Sequence, residues 1–317
     1  SSISGAIRLN APISYTPGSP LSLTLNAATS ITQGSGAAMT VAGLTATTTG
    51  DYSAITLNEP NQVASASFTA GPVGYRGDVS FSDSGSNLIL GSVTAGSFTL
   101  SSQGNIYSLS PFSASGTVDV RTSNGYVNFC WDGCGAIDAV GTIRLEASGD
   151  LTIGNLTSAA VGNAVTLIST GGILDAGPAI YGSTITTDNG RWLAYLTDYY
   201  ACDCSTNQFG NLLASFKQYG APPGTLALGS GNGVLYSNEA YLGGELSGSV
   251  SKTYNGNNNI SLSGASFASD RGGPAVQTSN GDNLGAAALV SGSGTLDNKN
   301  FGSAKTVTAQ QVVVSGV

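Results

Sequence analysis

The chain has 317 residues, of which 40% are hydrophobic, only 9% are charged and 45 are glycine, and its formal net charge is −8. This composition excludes disorder, which combines low hydrophobicity with high net charge. The scattered lysines and arginines form no basic stripe for nucleic-acid phosphates, so nucleic acid is not an expected partner. No apolar run of about 18 residues could span a bilayer. The first residues lack signal-peptide features, so we expect a mature chain or one excised from a longer protein.

Short strands are predicted throughout residues 1–190, because apolar and polar residues alternate and Gly, Ser, Asn and Asp interrupt the runs. The leading runs are Ala6–Leu9, Leu21–Leu25, Ala54–Leu57, Asp78–Phe81, Ser97–Leu100, Thr117–Val120, Thr142–Leu145 and Ala164–Leu167. They recur roughly every 20 residues. A unit of this size cannot bury its own apolar face and must stack on its neighbours. The pattern predicts an all-β fold with a right-handed parallel β-helix over 1–190, rather than a sandwich of short hairpins.

Four cysteines lie in two clusters, Cys130 and Cys134 in FCWDGCG, and Cys202 and Cys204 in YACDCST. One residue between the second pair is tight for a structural zinc site, and the chain has no histidine. We therefore expect no metal and no cofactor. Disulfides formed in an oxidising compartment are the better interpretation. Pairing between the clusters is favoured and local Cys130–Cys134 pairing is the alternative, since the sequence does not decide the connectivity.

An aromatic-rich segment with two of these cysteines interrupts the strand pattern. We predict that residues 191–242 form a cap and linker that cover the end of the β-helix. Exposed rings could instead provide a carbohydrate-binding platform. The cap is the commoner use, because most large aromatic side chains are buried. The candidate cap or recognition aromatics are Trp131, Trp192, Tyr195, Tyr199 and Tyr200.

Strand signals resume in residues 243–317. The expected strands are Gly248–Gly256, Ile260–Leu262, Ala287–Val290 and Lys305–Val314. Asn-Gly pairs at 255–256 and 280–281 are typical of turns that join antiparallel strands. The pattern predicts a small antiparallel β-sandwich of immunoglobulin-like type.

Two C-terminal stretches carry a family resemblance: KTYNGNNNISLSGASF at 252–267 and VSGSGTLDNKNFGSAKTVTAQQVVVSGV at 290–317. They resemble the YDG module of bacterial two-partner-secretion exoproteins similar to filamentous haemagglutinin. The upstream repeats, with GRWLAYLTDYY and FKQYG, resemble the region that precedes such modules in these proteins. Asn255 stands where the module has the Asp of its name, and the family's N-terminal secretion domain is not visible in this sequence.

The resemblance implies a secreted cell-surface adhesin or extracellular structural protein that is not an enzyme. Such a protein crosses the outer membrane through a dedicated transporter and lies outside the cell or on the bacterial surface. Its expected partners are a glycan or protein receptor on a host or neighbouring cell, and other copies or modules of itself.

The C-terminal strand edge is the candidate assembly site. Related modules usually continue with a further strand after VSGV, so we expect either that the domain continues in further sequence or that another chain completes its last edge. The candidate edge residues are Gln310, Gln311, Val312, Val313 and Val314. Another copy could add a strand to this edge. The alternative function is therefore a subunit of a self-assembling extracellular filament or sheath.

A polysaccharide lyase or hydrolase is the second alternative, since parallel β-helices also support these activities. The candidate charged residues are Asp132, Asp138, Asp198, Asp203, Arg144 and Arg191. Aspartates in such turn contexts are mostly loop formers. Without histidine, Ser-His-Asp and Cys-His mechanisms are excluded. We expect no catalytic residues.

Overall fold

The computed structural model describes residues 5–14, 21–108, 110–130, 135–175, 183–197, 208–209, 212–238, 244–269, 288–300 and 302–315. The chain divides into two compact units, Ser1–Asn238 and Glu239–Val317. These described segments contain strands and no helix, and none of them could cross a membrane as a helix. The predicted fold class, a parallel β-helix followed by a small antiparallel β-module, is confirmed. The handedness of the β-helix stays a prediction.

The first unit is a parallel β-solenoid in which long strands bend from one face of a coil to the next. Its strands are β1 (Ile7–Leu9), β2 (Ile13–Ser14), β3 (Ser22–Ala27), β4 (Ile31–Gln33), β5 (Met39–Thr48), β6 (Ile55–Ala70), β7 (Val79–Asp83), β8 (Asn87–Ala95), β9 (Phe98–Ser102), β10 (Asn105–Ser108), β11 (Phe112–Ala114), β12 (Val118–Thr122), β13 (Val127–Asn128), β14 (Ala136–Ala139), β15 (Ile143–Ala147), β16 (Leu151–Thr152), β17 (Asn155–Ser169), β18 (Leu174–Asp175), β19 (Ile185–Leu196), β20 (Gln208–Phe209), β21 (Leu212–Leu213), β22 (Phe216–Gln218) and β23 (Gly233–Tyr236). All their pairings are parallel except that of β20 with β21.

Stacking of equivalent residues in successive coils confirms the sequence repeat. Ile143 pairs with Val165 and Leu145 with Leu167, as the repetition of the two tetrads predicts. One continuous column of register partners, one residue from each successive coil, crosses the whole solenoid. Its members are Ile7, Ile31, Ile55, Val79, Phe98, Val118, Ile143, Val165 and Trp192. Side chains alternate along each strand, so every coil adds apolar residues to one continuous interior.

A row of phenylalanine rings runs through part of this interior. Phe98 lies 6.0 Å from Phe68 and 5.5 Å from Phe112, measured between ring centroids, and Phe112 lies 5.5 Å from Phe129. The Phe98–Phe112 and Phe112–Phe129 rings meet edge to face. Such pairs add about 0.5–1.5 kcal/mol beyond their burial. The ring-to-ring contacts therefore stabilise one coil upon the next.

A second internal row is polar and lies at a corner of the coils. Asn61, Asp83, Ser102 and Thr122 are successive register partners, and all are buried. Asp83 accepts hydrogen bonds from the backbone N–H groups of Val63 at 3.0 Å and Gly85 at 3.1 Å. Burial nevertheless raises the pKa of Asp83 to about 6, because the two hydrogen bonds only partly offset desolvation.

The solenoid extends beyond residue 190, where the sequence predicts its end. Residue 190 falls inside β19, which pairs with β17 along most of its length and then with β23. Residues 191–196 and 233–236 are thus solenoid strands rather than cap and linker. The physical reason is that Trp192 to Leu196 are buried on both sides of the strand. When both faces of a strand are buried, its sequence is a continuous apolar run and does not alternate between apolar and polar residues.

A second, smaller hydrophobic core lies on the outer side of these last strands. Phe216 of β22 packs with Leu193, Tyr195 and Leu235 on the outer side of the sheet. A Cβ on Gly233 would lie 2.1 Å from the Phe216 ring, and one on Gly229 would lie 2.2 Å from it. The ring therefore fits only because both positions are glycine.

The second unit contains two small antiparallel sheets. Its strands are β24 (Gly244–Gly248), β25 (Asn259–Ser261), β26 (Ala265–Ser269), β27 (Ala288–Leu296) and β28 (Val307–Ser315). β24 pairs with β26, and β27 lies between β25 and β28. Residues 249–256, predicted as a strand, form a loop instead. Gly248 and Gly256 have φ values of 103° and 79°, which are incompatible with a continuous strand.

Candidate functional site

An open cleft in the second unit combines charge, an exposed aromatic ring and volume. It measures about 560 Å³ and lies between the loop after β24 and the loop that joins β27 to β28. Lys252 and Tyr254 come from the first loop, and Lys299 and Lys305 from the second. Volumes of about 300–1,000 Å³ are typical of small-ligand sites. The cleft is therefore the candidate functional site of this unit.

Two backbone hydrogen bonds order the base of the cleft: one joins the end of the first loop to β27, and the other closes the loop between β27 and β28. The Leu296 N–H donates to the Asn258 carbonyl at 2.8 Å, and the Asp297 N–H donates to the Thr306 carbonyl at 3.0 Å. In the first loop the Asn257 N–H donates to Asn255 Oδ1 at 3.3 Å, which is the local turn that an Asn-Gly pair favours. The lysines thus project from connected loops.

Each cleft lysine has a different set of partners. Lys252 Nζ donates to the Asn257 carbonyl at 2.9 Å and also to Asn257 Oδ1. Lys305 Nζ donates to Asn298 Oδ1 and lies 3.9 Å from Asp297 Oδ1. Lys299 makes no hydrogen bond or ion pair with the described residues. The described partners of Lys252 are neutral, so they hold its positive charge in place without neutralising it.

The sequence alone did not reveal this site, because the basic residues are scattered along the chain. Three of the four lysines of the chain line the cleft, and none of the cleft residues is Asp or Glu. The available signal was the position of three lysines within the C-terminal module of a chain whose net charge is −8. Only the folded loops bring them together.

The predicted assembly edge lies on β28. Among the described strands, β28 pairs only with β27, which leaves its other edge unpaired. Val312 and Val313 are exposed, and Gln311 has a φ of 49° at a register shift opposite Gly292. This irregularity is a β-bulge, a feature that bends an edge and limits its pairing. Gln310 and Val314 continue the strand on either side.

The aromatic candidates that the structure describes are buried. Trp192 belongs to the solenoid interior, and its N–H donates to Asn232 Oδ1 at 3.0 Å. Tyr195 belongs to the outer core, and its hydroxyl donates to the Thr225 carbonyl at 2.9 Å. Burial raises the pKa of this phenol. Both rings are therefore packed in hydrophobic cores and do not form an exposed platform. Trp131, Tyr199 and Tyr200 lie outside the described residues.

Cys130 is the one predicted disulfide residue within the described part of the chain. It is disulfide-bonded, and its N–H donates to Asn128 Oδ1 at 2.8 Å. Cys134, Cys202 and Cys204 lie outside the described residues, so the connectivity stays a prediction. The described residues hold no group of three or more His, Cys, Asp or Glu side chains that could bind a metal ion.

The charged residues considered for catalysis that the structure describes, Asp138, Arg144 and Arg191, do not converge. Asp138 is exposed on β14, while Arg144 Nη2 donates to Glu146 Oε2 at 2.6 Å on another face. Arg191 Nη1 donates to the Gly229 carbonyl at 2.6 Å, and its Nε donates to Asn163 Oδ1 at 2.8 Å. Both arginines therefore bond to residues other than Asp138. Asp132, Asp198 and Asp203 lie outside the described residues.

Two family models match parts of the chain. A YDG domain is matched over residues 245–317, and repeats of unknown function (DUF5649) are matched over residues 2–70 and 76–129. No curated protein and no solved structure gives a significant match. The chain is a β-helical protein that carries a C-terminal YDG module. That combination suggests a surface or adhesion type of role.

Proposed function

We propose that this chain belongs to a secreted, non-catalytic adhesin or extracellular structural protein of the filamentous-haemagglutinin type. The observation that supports this is the order of the two units, a parallel β-solenoid followed by a YDG module. Exoproteins of the two-partner-secretion class, which this chain resembles, have this order. An outer-membrane transporter then exports the protein, which acts outside the cell or on its surface.

The solenoid suits a scaffold role on physical grounds. Each coil pairs its backbone with the coils before and after it and adds to one apolar interior. Such a unit resists deformation without needing any partner along its length. Recognition of a receptor on a host or neighbouring cell then falls to less regular parts of the protein.

Absence of catalysis is part of the same proposal. Depolymerisation of a polysaccharide requires an acid and a base that converge on the reacting bond. Arg144 and Arg191 are held by Glu146 and by Asn163 with Gly229, away from the exposed Asp138. This arrangement favours structural roles for the candidate charges.

Surface location and cell binding test the proposal directly. Intact bacteria that express the full protein should bind an antibody against it and lose the epitope on brief protease treatment. The purified chain should bind receptor-bearing cells saturably and leave uronate-containing polysaccharides uncut. Retention of the protein inside the cell, or release of unsaturated sugar products by the purified chain, would contradict the proposal.

A self-assembling filament is the second candidate, and the exposed edge of β28 supports it. Strand addition at this edge by another copy would extend the sheet. Electron microscopy and size-exclusion chromatography should then show polymers that Val313→Lys abolishes. The matched control is Thr295→Lys on β27, a residue that is paired on both sides, with Asn259 of β25 and Thr308 of β28. A monomer at all concentrations would exclude this function.

A further inference from the structure

We propose that the cleft between the two loops of the YDG module binds acidic oligosaccharides, through their carboxylate or sulfate groups. This inference rests on the proposed adhesive function and assigns it a site and a ligand class. It starts from the concentration of three of the four lysines, Lys252, Lys299 and Lys305, around one opening. None of the described residues that line it carries a carboxylate.

Electrostatics favour an anionic ligand at this place. A lysine ammonium has three donors, and Lys252 and Lys305 direct some of theirs to Asn257 and Asn298. Those acceptors are neutral and fix the side chains. Among the described residues, only Lys305 has a carboxylate within 4 Å, Asp297 at 3.9 Å. Lys299 has no partner among the described residues. Donors and positive charge are therefore available to a ligand.

The other cleft residues favour a saccharide over a simple anion. Tyr254 is 63% exposed, so its ring can pack against the apolar face of a sugar while its hydroxyl stays in water. Asn300 and Ser303 add amide and hydroxyl groups that can pair with sugar hydroxyls. A volume of about 560 Å³ is larger than a sulfate or phosphate ion requires.

The charge of the whole chain argues against a long nucleic acid as the ligand. The formal net charge is −8, and attraction from the lysines is screened beyond about 8 Å at physiological salt. A nucleic-acid strand would need basic groups along its phosphates. A short acidic segment that enters the cleft needs only the local lysines.

Asn255 strengthens this assignment. It follows Tyr254 directly, at the position where the YDG motif has Asp, and its Oδ1 accepts from the Asn257 N–H. Asn257 in turn holds Lys252. An aspartate at position 255 would preserve the hydrogen bond but add a negative charge next to Tyr254 and in contact with Asn257, which holds Lys252. With asparagine at this position, Asp297 is the one carboxylate among the described residues that lies within 4 Å of a cleft lysine.

Calorimetric titration of the full chain at low salt tests the inference. The ligands are a galacturonate oligosaccharide, a chondroitin sulfate oligosaccharide, a neutral malto-oligosaccharide and inorganic sulfate. We expect the acidic sugars to bind at least about tenfold more tightly than the neutral sugar and the free sulfate, with affinity falling as salt rises. The two acidic ligands distinguish carboxylate from sulfate recognition. Equal affinity for neutral sugar would overturn the inference.

Three variants locate the binding site. Lys299→Gln removes a charge that makes no bond in the described structure, so folding should be unaffected and affinity should fall about three- to fivefold. Asn255→Asp should weaken acidic ligands by a similar factor. The matched control, Arg8→Gln, removes an exposed cation from the solenoid and should change nothing. Equal losses for Lys299→Gln and Arg8→Gln would refute a site in the cleft.

Two further outcomes separate this inference from the proposed function. Cell binding that persists unchanged in Lys299→Gln and Asn255→Asp, with no binding of acidic sugars, would reject the cleft but keep the adhesin. An intracellular protein that binds no cells would reject the adhesin itself. Binding of a single-stranded oligonucleotide as tightly as the acidic sugars, with the same dependence on Lys299, would overturn the saccharide assignment.

Discussion

The solenoid and the YDG module bury side chains in different ways. The solenoid has an apolar interior that passes from coil to coil, with aromatic rings in direct contact. In the described part of the module, the buried large hydrophobic residues are Ile260 and Leu262. The module instead leaves its lysine-bearing loops open to solvent. A closed core supports a scaffold, whereas open charged loops support recognition.

Polar groups show the same contrast. In the solenoid, Asn61 and Asp83 face inward and bond to the backbone of neighbouring coils. In the module, Lys299 and Tyr254 face outward into a cleft. Substitutions inside the solenoid should therefore change stability, and substitutions around the cleft should change binding.

The largest expected effect is loss of an interior ring. Phe98→Ala removes contacts with Phe68 and Phe112 and leaves a cavity, so the free energy of unfolding should fall by about 3–5 kcal/mol. Denaturant titration followed by circular dichroism measures it. Tyr52→Ala, an exposed aromatic on the same unit, is the control and should cost under about 1 kcal/mol. Similar costs for both variants would contradict a continuous core.

The glycine contact under Phe216 should give the next largest effect. Gly233→Ala places a methyl group against the ring and should destabilise the last coils by about 1–3 kcal/mol. Thermal melts of the single and double variants measure the coupling. Phe216→Ala in the same chain should relieve the clash, so the double variant should be more stable than the sum of the single effects predicts. Strict additivity would show that the ring and the glycine are not in contact.

Asp83 should make the solenoid less stable at neutral than at acidic pH. Its pKa rises from 3.8 to about 6 in the folded protein, so the folded state binds the proton more tightly than the unfolded chain. Its contribution is therefore present below about pH 4 and is lost as the pH rises through about 6. We expect a change on the order of 2 kcal/mol.

The slope of stability against pH is the measurement, since Asp83→Asn also alters the hydrogen bonds to Val63 and Gly85. The variant should flatten this slope between about pH 4 and pH 7. Asn61→Asp, which places a second carboxyl in the same buried row, should steepen it. An unchanged slope in Asp83→Asn would mean that this carboxyl does not titrate in the expected window.

The smallest effect is expected on the edge of the module. Gln311 adopts a left-handed conformation that glycine tolerates better, so Gln311→Gly should stabilise the module by about 1 kcal/mol. Gln310→Gly is the control, because its φ is not positive and glycine should cost about 0.5–1 kcal/mol there. Hydrogen exchange of β27 and β28 would report both changes. Destabilisation by Gln311→Gly would contradict the bulge.

Much of the solenoid was predictable because its information is local and repeated. Alternation in Thr142–Leu145 and Ala164–Leu167 identifies the inward residues, and their pairing follows from stacking. The end of the solenoid was not predictable from alternation, since Trp192 to Leu196 are covered on both sides. The continuous apolar run was the signal for this coverage, but an aromatic cap produces the same composition.

The candidate site was less predictable than the fold. The sequence pattern of residues 249–256 predicts a strand. Positive φ values at Gly248 and Gly256 prevent this, and the segment forms one wall of the cleft. Lys299 and Lys305 are 47 and 53 positions after Lys252 in the numbering, so no short motif links them. The pairing of β25 with β27 and the bonds between Asn258 and Leu296 bring them together.

The sequence by itself determined the strands, the repeat, the division into two parts and the likeness of the second part to a YDG module. These features depend on residue periodicity and on glycine and asparagine turns, which act over a few residues. Only the tertiary structure decided that Tyr195 faces a second core, that Asp83 is buried, and that the lysines share a cleft. Those properties depend on which distant segments cover a side chain or leave it open, and local sequence does not encode that contact.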